Sequence, residues 1–247
     1  MLTNNPFAAL TDFLPAAAMQ VYVVLMAFAV IAGTLADVAH KGSARFFAQR
    51  REESQARAKR RLDAGDTISA AIATVAEASV SGEFCKWPRR ISHLFMMYGF
   101  FLYIVTTVLM VFAYTAAVLP ALWTLGAVMI LIGALWFFFF LRVNVAYDGA
   151  SPFHLGRADL FVGSLIVSVV FALVWQYMQA SGAGVTAARI VFGIYIFFTT
   201  LLFVSVPWSK FAHMFFKPAV AFQRRIEEAQ GSSDLPGPAV QSHIVRS

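Results

Sequence analysis

The chain has 247 residues, of which 60% are hydrophobic and 13% charged, with a mean hydropathy of +0.70. No soluble domain of this size hides that much apolar surface, so the composition excludes a soluble enzyme and indicates an integral membrane protein. The net charge of +6 comes from basic residues that flank apolar segments, which is a topology signal rather than a nucleic-acid footprint, and the single cysteine, Cys85, excludes a disulfide framework and a cysteine-ligated iron–sulfur cluster within the chain.

From Met1 to Asp12 there is no Lys or Arg, so the basic n-region of a cleavable signal peptide is missing. No lipidation motif is present. A spanning helix needs about 20 mostly apolar residues. Five stretches qualify: 16–39, 92–117, 121–142, 159–180 and 187–209. The predicted fold is therefore all-α, a five-helix integral membrane bundle over 1–229. A polar segment, 40–91, separates the first span from the second. Pro120 is expected in a tight turn between the second and third spans. Asp148, Gly149, Ser151 and Pro152 interrupt the third and fourth, and Ser181-Gly182-Ala183-Gly184 separates the fourth from the fifth.

Orientation follows from the basic residues. The segment 40–91 holds Lys41, Arg45, Arg50, Arg51, Arg57, Lys59, Arg60, Arg61, Lys86, Arg89 and Arg90. The loop after the third span adds Arg142 and Arg157, and the C-terminal part adds Lys210, Lys217, Arg224, Arg225 and Arg246. With five spans all of these share one side, and only Arg189 is opposite. The expectation is an N-terminus outside and a C-terminus in the cytoplasm.

Within the cytoplasmic loop, 45–62 reads as a charged helix. Residues 67–80 carry Ile68, Ile72, Val75 and Val80 at helical spacing. That stretch lies on the membrane surface or a partner, or else forms a solvated hairpin. From Gln230 onward, Gly231, Ser232, Ser233, Pro236 and Pro238 predict a disordered tail over 230–247.

Of the five histidines, four cluster at the cytoplasmic face. His40 ends the first span and His154 lies in the loop after the third; both read as interfacial residues, whose amphipathic rings sit well at headgroup level. His243 reads as solvated. His93 opens the second span and His213 closes the last, so antiparallel helices would place both rings at one depth. Two neutral imidazoles can hold a haem iron with no open position, which suits electron transfer. They can equally be two interfacial histidines.

The segment Arg89-Arg90-Ile91-Ser92-His93-Leu94 with Gly99-Phe100 resembles the second helix of the respiratory nitrate reductase gamma subunit, a dihaem membrane cytochrome b. Arg157-Ala158-Asp159-Leu160 resembles the start of its fourth helix. The run from Val206-Pro207-Trp208-Ser209-Lys210 through His213 to Pro218 resembles the end of its fifth. The resemblance implies that the cytoplasmic-side haem pair falls on His93 and His213. It also implies a second pair ten residues after His93 and eighteen before His213. Those positions hold Tyr103 and Tyr195, and neutral tyrosines are poor substitutes, so one haem b at most is expected, on the cytoplasmic side. Tyr103 and Tyr195 are left to bond across the bundle, to meet a quinone, or to pack in the core.

Within this superfamily, Ser81-Gly82-Glu83-Phe84-Cys85, Met97-Tyr98-Gly99-Phe100 and Ser151-Pro152-Phe153 are most similar to the membrane anchor associated with dissimilatory adenylylsulfate reductase of sulfur-oxidising bacteria. That resemblance implies a bacterial inner membrane, a cytoplasmic flavin and iron–sulfur partner, and electron exchange with quinone. The basic loop 40–91 and residues 210–230 would form the docking surface, suited to an acidic partner. Quinone needs an apolar slot and donors for its carbonyls. Lys86, Trp87, Tyr98, Trp208 and Lys210 have the expected depth, though each is also an ordinary interfacial anchor. Cys85 either touches a partner's cluster or is an idle thiol.

Three functions stand: an electron-transfer subunit, a haem-free anchor of the same partner, and a transporter. The last has thin support, because no charged residue sits in the middle of a span and no broken-helix repeat is visible. No phosphate-binding glycine loop or nucleophile elbow is present.

Overall fold

The computed structural model describes residues 4–40, 42–80, 86–112, 115–142, 156, 159–206 and 213–233, the side chains at 9, 11, 43, 44 and 213–216 excepted. All regular structure among the described residues is helical. After a short 3-10 turn, Ala8–Asp12, come α1 (Ala16–His40), α2 (Ser43–Ala56), α3 (Ala64–Ser79), α4 (Trp87–Val111), α5 (Leu119–Trp136), α6 (Leu160–Ser181), α7 (Val185–Val204) and α8 (His213–Gln230). A single π turn, Phe137–Leu141, prolongs α5. Five of the helices, α1, α4, α5 with its π turn, α6 and α7, are long and apolar enough to cross a membrane. The protein is a multi-pass membrane protein.

Helix ends depart from the sequence expectation in three of the spans. α4 starts at Trp87 and not at 92, because Pro88 lies in the first turn, where a missing N–H costs nothing. It also stops at Val111, short of 117. Pro120 is not in the turn: α5 begins at Leu119, and Pro120 occupies its first turn. α7 stops at Val204 with Ser205 as its cap, and not at 209. Val206 precedes Pro207, and the residue before a proline is disfavoured in helical conformation. His213 therefore does not close the fifth span; it is the first residue of the separate helix α8.

The chain divides into two compact units, Met1–Asp37 with Ser81–Ala212, and Val38–Val80 with His213–Ser247. In the first, α4 and α5 form the tightest seam, followed by α6 with α7 and α5 with α6. Glycine permits the α4–α5 approach. A Cβ on Gly126 would sit 2.8 Å from the Tyr103 backbone nitrogen, and one on Gly133 would sit 2.7 Å from the Ser92 carbonyl oxygen. Ser92 Oγ donates to the Gly133 carbonyl at 2.8 Å across the same seam. Helices in lipid gain little from the hydrophobic effect against one another, so close backbone approach and hydrogen bonds take its place.

The second unit is organised on α8, against which α2 and α3 each pack. The Arg50 guanidinium donates two hydrogen bonds, both 2.9 Å, to the buried Glu227 carboxylate. Arg225 pairs with Glu77 of α3. Ser54 Oγ meets Ser232 Oγ at 2.7 Å. The predicted charged helix 45–62 ends early, at Ala56. The chain beyond it turns so that the Lys59 and Arg60 amides donate to the Gln230 carbonyl, capping the end of α8. α3 starts on a capping box made by Asp63 and Asp66. Ile68, Ile72 and Val75 on α3 are exposed. Of the tail predicted to be disordered over 230–247, Gln230 instead ends α8 and Ser232 is buried on Ser54; residues 234–247 lie outside the described residues.

Candidate functional site: a tyrosine pair and a histidine on one helix face

α4 presents two working faces. Ser92, Gly99 and Thr106, seven residues apart, are buried, and Ser92 and Gly99 lie against α5. His93, Met96, Phe100 and Tyr103 fall on the neighbouring stripe by helical spacing. That stripe is directed at α7: the Phe100 and Phe203 rings lie 6.4 Å apart, and Tyr103 Oη donates to Tyr195 Oη at 3.1 Å. α4 and α7 share no backbone seam of the α4–α5 kind and meet through these long side chains. His93 is half-buried in α4. Ten residues of helix put it about 15 Å along the axis from Tyr103.

The tyrosine pair sits in a dense aromatic cluster. Tyr103 stacks on Trp123 at 5.0 Å, and Tyr195 lies nearly parallel to Trp175 at 6.1 Å. Trp123 is 0% exposed and Trp175 1%. The Trp123 indole N–H donates to Thr107 Oγ1 at 2.8 Å, so burying it leaves no indole donor unmet. At the end of the bundle away from His93, the N-terminal segment closes the cluster. Phe7 is buried and packs edge-on against Trp123 and Trp175. Asn5 holds it there, donating from Nδ2 to the Met110 carbonyl at 3.0 Å and accepting the Phe7 amide at 2.9 Å.

The two hydroxyls carry two protons, and one hydrogen bond uses one of them. Tyr103 donates it. Tyr195 has a second side-chain hydrogen-bonding neighbour in Thr199, one turn along α7. Tyr22 of α1 is satisfied separately, on Thr200 Oγ1 at 2.9 Å and the Ile196 carbonyl at 3.3 Å.

The structure thus brings Tyr103 and Tyr195 together, and aligns His93 with them on α4. His213 belongs to the other unit, and its side chain lies outside the described residues. Of the quinone candidates, Trp208 and Lys210 lie outside the described residues, as do Cys85, His154, Arg157 and His243. Lys86 is the exposed N-cap of α4, and Trp87 and Tyr98 are exposed. Tyr98, five residues after His93, falls on a different face of the helix. His40 is the exposed last residue of α1.

The sequence reading missed three features. Arg142 and Asp159 form an ion pair, 8% and 16% exposed, that ties the end of α5 to the start of α6. Arg142 also lies over the Phe138 ring at 4.5 Å. Asp37 is buried near the end of α1, and its signal was visible as the one acid in the first apolar run. Arg89 caps the π turn through the Leu141 carbonyl at 3.1 Å, a cation at a helix C-terminus. Comparison with known proteins finds no matching family model, no similar curated protein and no similar solved structure.

Proposed function

We propose that this chain is a membrane subunit that anchors a cytoplasmic oxidoreductase and passes electrons between it and the quinone pool, with one b-type haem held by His93 and His213. The observation that carries the reading is the position of His93. It is half-buried on the α4 stripe that Phe100 and Tyr103 extend towards α7. Its pairing with His213 rests on the sequence pattern. Haem, when bound, supplies reversible one-electron chemistry. The chain's own part is to hold it. A neutral imidazole ligates iron, and the glycine seam with α5 fixes the helix that carries His93.

The second haem of the resembled family does not fit. Its ligand positions are Tyr103 and Tyr195, bonded to each other and stacked on Trp123 and Trp175. The tyrosine pair therefore limits the chain to one haem at most. Eighteen of nineteen Lys and Arg residues share one side of the predicted topology, which supports an N-terminus outside and a cytoplasmic C-terminus; the bacterial inner membrane rests on the sequence resemblance. On that side, Arg45, Arg51, Arg57, Lys59 and Arg61 of the second unit are exposed. They suit an acidic partner, and the sequence resemblance favours the flavin and iron–sulfur subunits of adenylylsulfate reductase.

The lost far-side pair favours a second reading, an anchor that carries no haem. The reduced-minus-oxidised absorption spectrum of the purified protein separates the two, since bis-histidine haem gives sharp α and β bands. His93→Ala and His213→Ala should each abolish those bands and leave membrane insertion intact. Full haem content in both variants would defeat the assignment.

A further inference from the structure

We propose that the outward face of α3, built on Ile68, Ile72 and Val75, lies in the headgroup region of an anionic lipid leaflet. The proposal stands apart from haem and quinone. In a helix of a water-soluble unit the apolar stripe turns inward and the charges turn out. α3 does the reverse. Its buried residue is Thr74, and Glu77, three residues on, pairs with Arg225 of α8, against which α3 packs. Asp66 pairs with Arg60, and Asp63 caps the first turn. Ile68, Ile72 and Val75 are 59%, 65% and 64% exposed. By helical spacing they share one stripe, with Ser69 and Ala76 beside them and no charged residue on that face. Scattered exposed aliphatics need no partner. Three on one stripe of a helix whose acids all turn the other way do.

Charge and chain connectivity select lipid as the occupant. The turn that leads into α3 carries Arg57, Lys59 and Arg61, all exposed. The apolar face thus continues into cations at one end, the pattern of a helix that lies in an anionic interface. The spanning helix α1 ends at His40, and α2 begins at Ser43. Three steps of chain reach at most about 11 Å, so the second unit starts within that distance of the end of a span. On the predicted topology that end faces the cytoplasmic leaflet, which attracts basic segments close to a span. The acidic partner proposed above would keep Arg45 and Arg51 of α2, both exposed.

The test uses the full chain with Cys85→Ser, a nitroxide label at one introduced cysteine, and two kinds of nanodisc. One is phosphatidylcholine alone and the other phosphatidylcholine with phosphatidylglycerol. Collisions with oxygen, which enters lipid, and with a nickel chelate, which stays in water, read the depth of the label. With phosphatidylglycerol, the label of Ile72→Cys should be open to oxygen and shielded from nickel, about 5–10 Å into the headgroup and acyl boundary. Val75→Cys, on the same stripe, should repeat that result, so one badly folded variant decides nothing. Ala78→Cys, exposed and about 120° further round the helix, should stay in water. In phosphatidylcholine alone the label of Ile72→Cys should move towards water. Nickel access at Ile72→Cys and Val75→Cys in both discs would overturn the proposal and leave the face to a protein partner. Labels shut off from both reagents would also overturn it, because protein would then cover the face. Equal depth in the two discs would overturn the anionic leaflet as the occupant.

Discussion

The two units of this chain solve the same problem, holding helices together, with opposite chemistry. In the membrane unit, α4 and α5 meet backbone to backbone at Gly99, Gly126 and Gly133, and uncharged hydrogen bonds such as Ser168–Thr199 and Thr124–Gln176 link the helices beyond them. In the second unit, charged side chains bridge α8 to its neighbours: Arg50 to Glu227 and Arg225 to Glu77. The difference follows from solvent. Lipid offers apolar side chains no reason to leave it, so steric fit decides. Water offers that reason and also screens the ions, so amphipathic helices and ion pairs suffice.

Breaking the glycine seam should have the largest effect. Gly133→Leu drives a side chain into the Ser92 carbonyl and Met96 nitrogen, both backbone atoms that cannot give way. The expected cost exceeds about 3 kcal/mol, read as loss of monodisperse protein in detergent. Retained folding would mean that α4 and α5 can separate without harm. Next comes Arg50→Ala, which strips both guanidinium hydrogen bonds from buried Glu227. About 3 kcal/mol is expected, the low end for a broken buried pair because Arg50 itself is 36% exposed. Hydrogen exchange should show the loss confined to α2, α3 and α8; a loss that spread to α4–α7 would merge the two units into one. Smallest is Ile72→Ser, on the exposed face of α3. A thermal melt in detergent should move by no more than about 0.5 kcal/mol, and a larger drop would show that this face is covered by another part of the protein.

Existence and order of the spanning helices were legible because twenty apolar residues in a row have few other uses. Their ends were not, because prolines act locally. Pro88 and Pro120 sit within first turns, where a count of apolar residues reads them as breaks. Pro207 was read inside the last span, and α7 stops before it, which left α8 unseen as a helix of its own. Tyr103 and Tyr195 were singled out by the family resemblance, which left a bond between them as one of three options. Their surroundings were not: Phe7 reaches the cluster from a segment outside every span, and Trp123 and Trp175 come from two further helices. The Arg142–Asp159 pair spans a loop whose course no periodicity describes.

The proposed single haem is counted directly by a pyridine haemochrome assay on the purified full-length protein. A ratio near one haem b per chain, falling to none in His93→Ala, is the predicted result. A ratio near two would contradict the Tyr103–Tyr195 barrier, and a ratio of zero would reduce the protein to a tether without a redox centre.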